Sequence, residues 1–203
     1  ANSNRFVTVA KMAMTKTDAF ASETWTLINQ TIVSTNVVIN ADRAKITGDV
    51  TTLNHYLGEA YAIRALAHFD LLKLYGQQYQ QSDRTKALGV PYTKVFGKAI
   101  YPARETVQRT YELIMEDLNA AISNLSASKD DASAHYITTF AAYAIKARVA
   151  LFFEDWAIAR DAAKYVIDHK GSRLDIADAN DFAKTFTTDN TKNQIFSIAN
   201  NDS

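Results

Sequence analysis

The chain has 203 residues, 47% of them hydrophobic and 22% charged, enough to bury one sizeable core in a single globular domain. Its 22 basic residues balance 22 acidic ones, so no global field draws it to nucleic acid or to an anionic membrane surface. Zero cysteines exclude disulfides and thiolate metal sites, and six glycines and two prolines in an alanine-rich chain favour long helices over a turn-rich β fold.

Apolar periodicity predicts a first helix from Phe6 to about Phe20 and a second from Ser22 to Ala44, with Trp25, Ile28, Ile32 and Val33 at helical spacing. The β-branched run "TIVSTNVVIN" works against helix propensity in the second. A third helix is expected from Val50 to Tyr75, with Gly76 at the left-handed position that ends many helices. The stretch from Gln77 to Ala103 holds both prolines and is the least helical part of the chain. From Thr106, the positions Val107, Tyr111, Ile114, Leu118, Ile122 and Leu125 step by 4, 3, 4, 4 and 3, as an amphipathic helix requires. "SASKDDASAH" then reads as a polar loop. A fifth helix is expected from about Ser133 to Phe153, and Asp155 is placed to cap a sixth from Trp156 to Lys170, ahead of Gly171. Beyond it, the apolar run Gln194 to Ala199 predicts a short strand.

One hexapeptide occurs twice. "AYAIRA" (Ala60 to Ala65) returns as "AYAIKA" (Ala142 to Ala147), with Arg64 against Lys146 as the only change. On a helical wheel Ala60, Ile63, Ala67, Leu71 and Leu74 fall on one side of the third helix, and Ala62, Ala65, Phe69 and Leu72 on the other. The second copy repeats the plan with Ala142, Ile145, Val149 and Phe153 against Ala144, Ala147 and Leu151. A helix with two apolar faces must be sandwiched, and alanine at the contacts allows close approach. Inner helices of a helix-pair solenoid behave in this way. The second copy also resembles the tetratricopeptide pattern, with Tyr143 at its large aromatic position and Ala147 and Ala159 at its small ones, while Lys146 and Ala150 depart from it. The expected fold is all-α, a tetratricopeptide-like helix-pair solenoid forming one domain over residues 1–203, with a loop insertion over about 77–103.

The order of segments carries a family resemblance. "GEAYAIRALAHFDLLKLYG" (Gly58 to Gly76) resembles the signature helix of the SusD/RagB family. "GVPYTK", "ARETVQRTYELIMEDLNAAISNL", "TTFAAYAIKARVALFFEDWAIARDAAKYVID" and "NQIFSI" are similar to further family blocks in the family's order. The resemblance implies a SusD-like α scaffold, lipid-anchored on the extracellular face of the cell outer membrane. Such proteins capture nutrients, most often glycans and sometimes peptides, and deliver them to a SusC-like TonB-dependent transporter without catalysis or cofactor. The opening "ANSNRFVTVAKM" has no signal-peptide core, and the family's lipidated cysteine is missing. Both fit a chain that starts downstream of the anchor. Family members usually run to about twice this length or more, so the resemblance implies that this chain is the scaffold half, and the family's C-terminal half is expected to lie outside it. The alternatives are a RagB-like peptide receptor and a tetratricopeptide adaptor for another protein.

Several residues are candidates for chemistry. Arg64 and His68 lie one turn apart on a polar edge with Tyr61 and Tyr75, where solubility and local pairing are the expected roles. His55 and Glu59 form a two-point pair, expected to be solvated, since a zinc site needs three or four ligands. "DIADAND" (Asp175 to Asp181) lacks the glycine and glutamate of a calcium loop and reads as a turn. Trp25 and Trp156 lie within apolar helical patterns and are expected in the core. No P-loop, G-x-S-x-G or HExxH motif is present, so no catalytic or metal residues are assigned. The irregular segment is the best place for ligand contact. Its candidates are Tyr79, Tyr92, Phe96, Tyr101, Gln77 and Gln78, with Gln80 and Lys94 among them. Aromatic faces receive the C–H faces of sugars and amides pair with hydroxyls. The competing reading is that these rings staple the loop to the helices.

Overall fold

Six α-helices follow one another in the computed structural model, which describes residues 7–15, 18–78, 80, 82–97, 101–130, 133–169, 177–188, 191, 192 and 194–198. They are α1 (Val7–Ala10), α2 (Ala19–Ile39), α3 (Val50–Tyr75), α4 (Val107–Asn124), α5 (Thr139–Phe152) and α6 (Trp156–His169). The architecture is all-α, as the composition implies. Four helices begin behind side-chain caps that satisfy otherwise orphaned N–H groups. Asp18 accepts from Phe20, Asp49 from Thr51 and Thr52, Thr106 from Arg109, and Thr138 from Ala141.

Several boundaries differ from expectation. The single helix from Phe6 to Phe20 does not form. The chain leaves α1 at Ala10, Met12 takes a left-handed φ of 51°, and α2 starts afresh behind Asp18. At its other end α2 stops at Ile39 rather than Ala44, because the Asn40 amide donates to the Asn36 carbonyl at 2.8 Å and to Lys94 at 2.9 Å. The bounds of α3 match the sequence reading, but Gly76 is not left-handed. It is extended (φ −75°, ψ 160°), and glycine is needed there because a Cβ would sit 2.6 Å from the Leu72 carbonyl oxygen. The start of α5 falls at Thr139 rather than Ser133, since Asp130 accepts the Thr139 N–H at 2.9 Å while Thr138 caps the next turn.

No strand forms among described residues 194–198. There the Ser197 N–H reaches the Ala134 carbonyl at 2.9 Å, and Ile195 and Phe196 pack on the core; one such bond does not make a ladder. Phe6, Lys170, Gly171, Asp175, Ile176, Asn193 and Ala199 lie outside the described residues.

Each long helix packs on its neighbour in the chain: α2 on α3, α3 on α4, α4 on α5, and α5 on α6. That succession is the layout of a helix-pair solenoid. The core runs through it as Ile32, Phe69, Leu71, Ile114, Leu118, Val149 and Phe153. Gly58 lets α3 meet the end of α4, because a Cβ there would lie 2.8 Å from Leu125 Cγ and 2.9 Å from the Ala121 carbonyl oxygen. No helix among the described residues is long and apolar enough to cross a membrane.

Candidate functional site

The segment between α3 and α4 is held by its own backbone. The Gln77 N–H donates to the Leu88 carbonyl at 2.8 Å, and the Leu88 N–H returns to Gln77 Oε1 at 2.6 Å. Leu88 also forms an antiparallel bridge with Thr106. Arg104 ties both ends down, donating to the carbonyls of Gly89 at 2.7 Å and of Tyr75 and Leu88 at 3.1 Å. A long connection anchored in this way can present side chains at fixed positions.

Beneath its second half lies a buried polar cluster. Arg64, 3% exposed, makes a bidentate pair with Asp117, both N···O distances being 2.7 Å. Its third nitrogen donates to Asn36 Oδ1 at 2.8 Å. The Asn36 amide in turn donates to the carbonyls of Thr93 at 3.0 Å and Val95 at 3.2 Å. Tyr92 donates to Asp117 at 2.6 Å and stacks on His68, with ring centroids 3.7 Å apart. His68 accepts the Thr93 N–H on Nε2 at 3.1 Å, so its ring proton sits on Nδ1 and points at the Arg64 carbonyl, 2.9 Å away.

Burial is the first cause of every perturbed ionisation here. It pushes His68 down to about 4 and, together with the Asp117 charge, pushes Tyr92 well above the usual phenol range. Burial opposes the Arg64 charge, yet the paired carboxylate outweighs it and the guanidinium is held more firmly protonated. Arg64 and His68 are therefore not on a solvated edge. They fasten residues 92–95 to α2, α3 and α4, and the buried charges of Arg64 and Asp117 are paired, as burial demands.

His55 corrects a second expectation. It is buried, accepts the Ser126 N–H on Nδ1 at 3.2 Å, and turns Nε2 toward Glu59 Oε1 at 3.5 Å, so the pair locks α3 to the end of α4. Trp25 does pack inward, edge-on to Tyr75 at 5.0 Å, but Trp156 is 62% exposed at the first turn of α6. Asp178 accepts the N–H groups of Asn180 and Asp181, and Asp181 pairs with Lys184 and Lys192, the arrangement of a turn. Among the described residues no group of three or more His, Asp or Glu side chains is placed to hold a metal.

The loop candidates separate into two kinds. Tyr92 faces inward with its hydroxyl already engaged, whereas Phe96 and Tyr101 are exposed, Tyr101 at 91%. Gln78 is also exposed, and Gln77 is exposed with its amide oxygen engaged by Leu88. Tyr79 lies outside the described residues.

Two cavities open beside the glutamines. One of about 260 Å³ has Lys73, Gln77, Gln78, Gln80, Phe152 and Phe153 among its lining residues. It meets, at Gln80 and Phe153, a second of about 620 Å³ bounded by Ser82, Arg84, Tyr111, Glu154 and Asp155. The wall opposite the loop is the elbow between α5 and α6. The Tyr111 hydroxyl donates to Asp155 Oδ2 at 3.0 Å, and burial followed by that carboxylate raises the phenol's pKa. Sequence reasoning flagged the glutamine side of this cleft and missed the elbow, because "FFEDW" reads as an ordinary helix end.

The fold and the anchored loop define a helix-pair solenoid scaffold that presents polar and aromatic side chains from its connections. Residues 1–151 match the family model described as "Starch-binding associating with outer membrane", and the chain belongs to this SusD-like family. A SusD-like protein of Bacteroides ovatus is 29% identical over 157 residues, covering 76% of this chain and 26% of that protein. The SusD-like protein P38 of Formosa agariphila is 29% identical over 116 residues, covering 55% of this chain and 20% of that protein. A solved SusD superfamily structure from Bacteroides thetaiotaomicron superposes with a TM-score of 0.78 at 29% identity, covering 86% of this chain and 38% of that one. The chain thus spans a fifth to a quarter of the curated relatives and about two fifths of the solved structure.

Proposed function

We propose that the protein binds an extracellular glycan at the cell surface, without catalysis, and passes it to a SusC-like TonB-dependent transporter. The observation that carries this reading is membership, over residues 1–151, of a family described as starch-binding and outer-membrane-associated. A lipid anchor on the extracellular face of the outer membrane completes the proposal. Ligand contact is assigned to the exposed side chains of the α3–α4 connection, Phe96 and Tyr101 at one end and Gln77 and Gln78 at the other. Tyr79 belongs to the same assignment, while Tyr92 acts by holding the connection in place. Aromatic faces and amides are the groups that sugars require.

The test is calorimetric titration of the protein with a panel of neutral oligosaccharides and of peptides. Saturable heat with at least one oligosaccharide is expected. Binding of peptides alone would replace the ligand class with that of a peptide receptor. Co-purification with a TonB-dependent transporter from native membranes tests the partner, and a protein recovered without one sinks that part of the proposal.

A further inference from the structure

We infer that the cleft between the glutamine-rich start of the α3–α4 connection and the α5–α6 elbow is a subsite for one neutral sugar unit. The inference rests on the glycan-binding reading and goes further by locating contact at the Gln77 and Gln78 end. The larger cavity, about 620 Å³, is within the range of small-molecule sites, and the smaller one shares Gln80 and Phe153 with it as lining.

Its chemistry is that of a polyol site. Phe152, 41% exposed, supplies an aromatic surface for the C–H face of a sugar ring. Glu154 and Asp155 supply carboxylate acceptors for hydroxyls, Gln78 and Arg84 supply donors, and Ser82, whose hydroxyl donates to the Gln78 carbonyl at 2.7 Å, offers its oxygen as an acceptor. Glu154 and Asp155 are balanced by Arg84 in the larger cavity and Lys73 in the smaller, so the lining carries no net charge and suits an uncharged sugar.

Backbone strain supplies an independent observation. The elbow is a complete Schellman turn: the Asp155 N–H reaches the Ala150 carbonyl at 2.9 Å, and the Glu154 N–H reaches Leu151 at 3.1 Å. Its left-handed position, φ 60°, is filled by Glu154, where glycine would sit without steric cost. A strained residue on the wall of a cleft points to a role for its side chain.

The experiment compares Glu154→Gly, Glu154→Gln and Phe152→Ala with Phe96→Ala and Tyr101→Ala by calorimetry. Maltoheptaose and other neutral oligosaccharides are the probes. Glu154→Gly is expected to raise Tm by about 2–4 °C while weakening neutral-glycan binding at least tenfold. Glu154→Gln, which keeps the backbone and shape, and Phe152→Ala should weaken it as well. Unchanged affinity in all three cleft variants, with loss in Phe96→Ala or Tyr101→Ala, overturns the subsite and leaves glycan binding standing. A wild-type protein that binds no glycan overturns both.

Discussion

The two copies of one hexapeptide meet different fates. In α3 the copy is enclosed on both faces: Ala60, Ala62, Ala65 and Ala67 are buried, and Arg64 between them is buried with its carboxylate partner. In α5 one face is buried, by way of Ala142, Ile145 and Val149, while the other is partly open, with Ala144 and Ala147 half-buried and Leu151 55% exposed. Lys146, which replaces arginine, reaches Asn119 at 2.8 Å on a half-exposed surface. The difference teaches that a repeated helix pattern fixes the contact face and leaves the environment to what the rest of the chain brings. α3 receives α2, α4 and the connection, whereas α5 receives α6, one side of α4 and a small contact with α3 through Phe69 and Phe152.

The largest expected effect tests the buried side of this contrast. Asp117→Ala leaves the Arg64 guanidinium without its bidentate partner and removes the acceptor of the Tyr92 hydroxyl. A loss of about 3–5 kcal/mol is expected in urea unfolding, because an uncompensated buried charge remains. A loss under about 1 kcal/mol would mean that the cluster is hydrated.

Next comes a pH effect centred on His68, whose pKa falls from 6.5 to about 4 on folding. The unfolded chain takes up a proton below 6.5 that the folded chain refuses until about 4, so stability falls as pH drops through that window. The His68 share amounts to about 3 kcal/mol by about pH 4. Comparing unfolding free energies of the wild type and His68→Gln from about pH 7 to 4 isolates it, and parallel curves would refute it.

These contrasts also mark what was legible in the sequence. The bounds of α3 could be read because Asp49 caps it and its alanines keep helical spacing over its whole length. The break at Met12 could not, since a left-handed methionine leaves no trace in apolar periodicity. A helical wheel put Arg64 and His68 on an edge, which is correct as direction. It cannot know that Asn36, Tyr92 and Asp117 arrive there from 24 to 53 positions away in the chain. The candidate site divides in the same way: composition singled out Gln77 and Gln78, while Glu154 becomes noticeable only through its φ.

The smallest effects come from exchanging the one residue that distinguishes the copies. Arg64→Lys keeps the charge, but an ammonium cannot span both Asp117 oxygens and Asn36 in the fixed fork that arginine provides. A loss of about 2 kcal/mol is expected, as for a weakened buried charged hydrogen-bond set. Lys146→Arg places the longer fork beside Asn119 on a half-exposed surface and should change stability by no more than about 0.5 kcal/mol. Both values follow from urea unfolding of the two single variants and the double. If the swap costs the same at both positions, the hexapeptide sets the energetics itself. If the costs differ as expected, they reflect the Asp117 carboxylate that only the first copy meets.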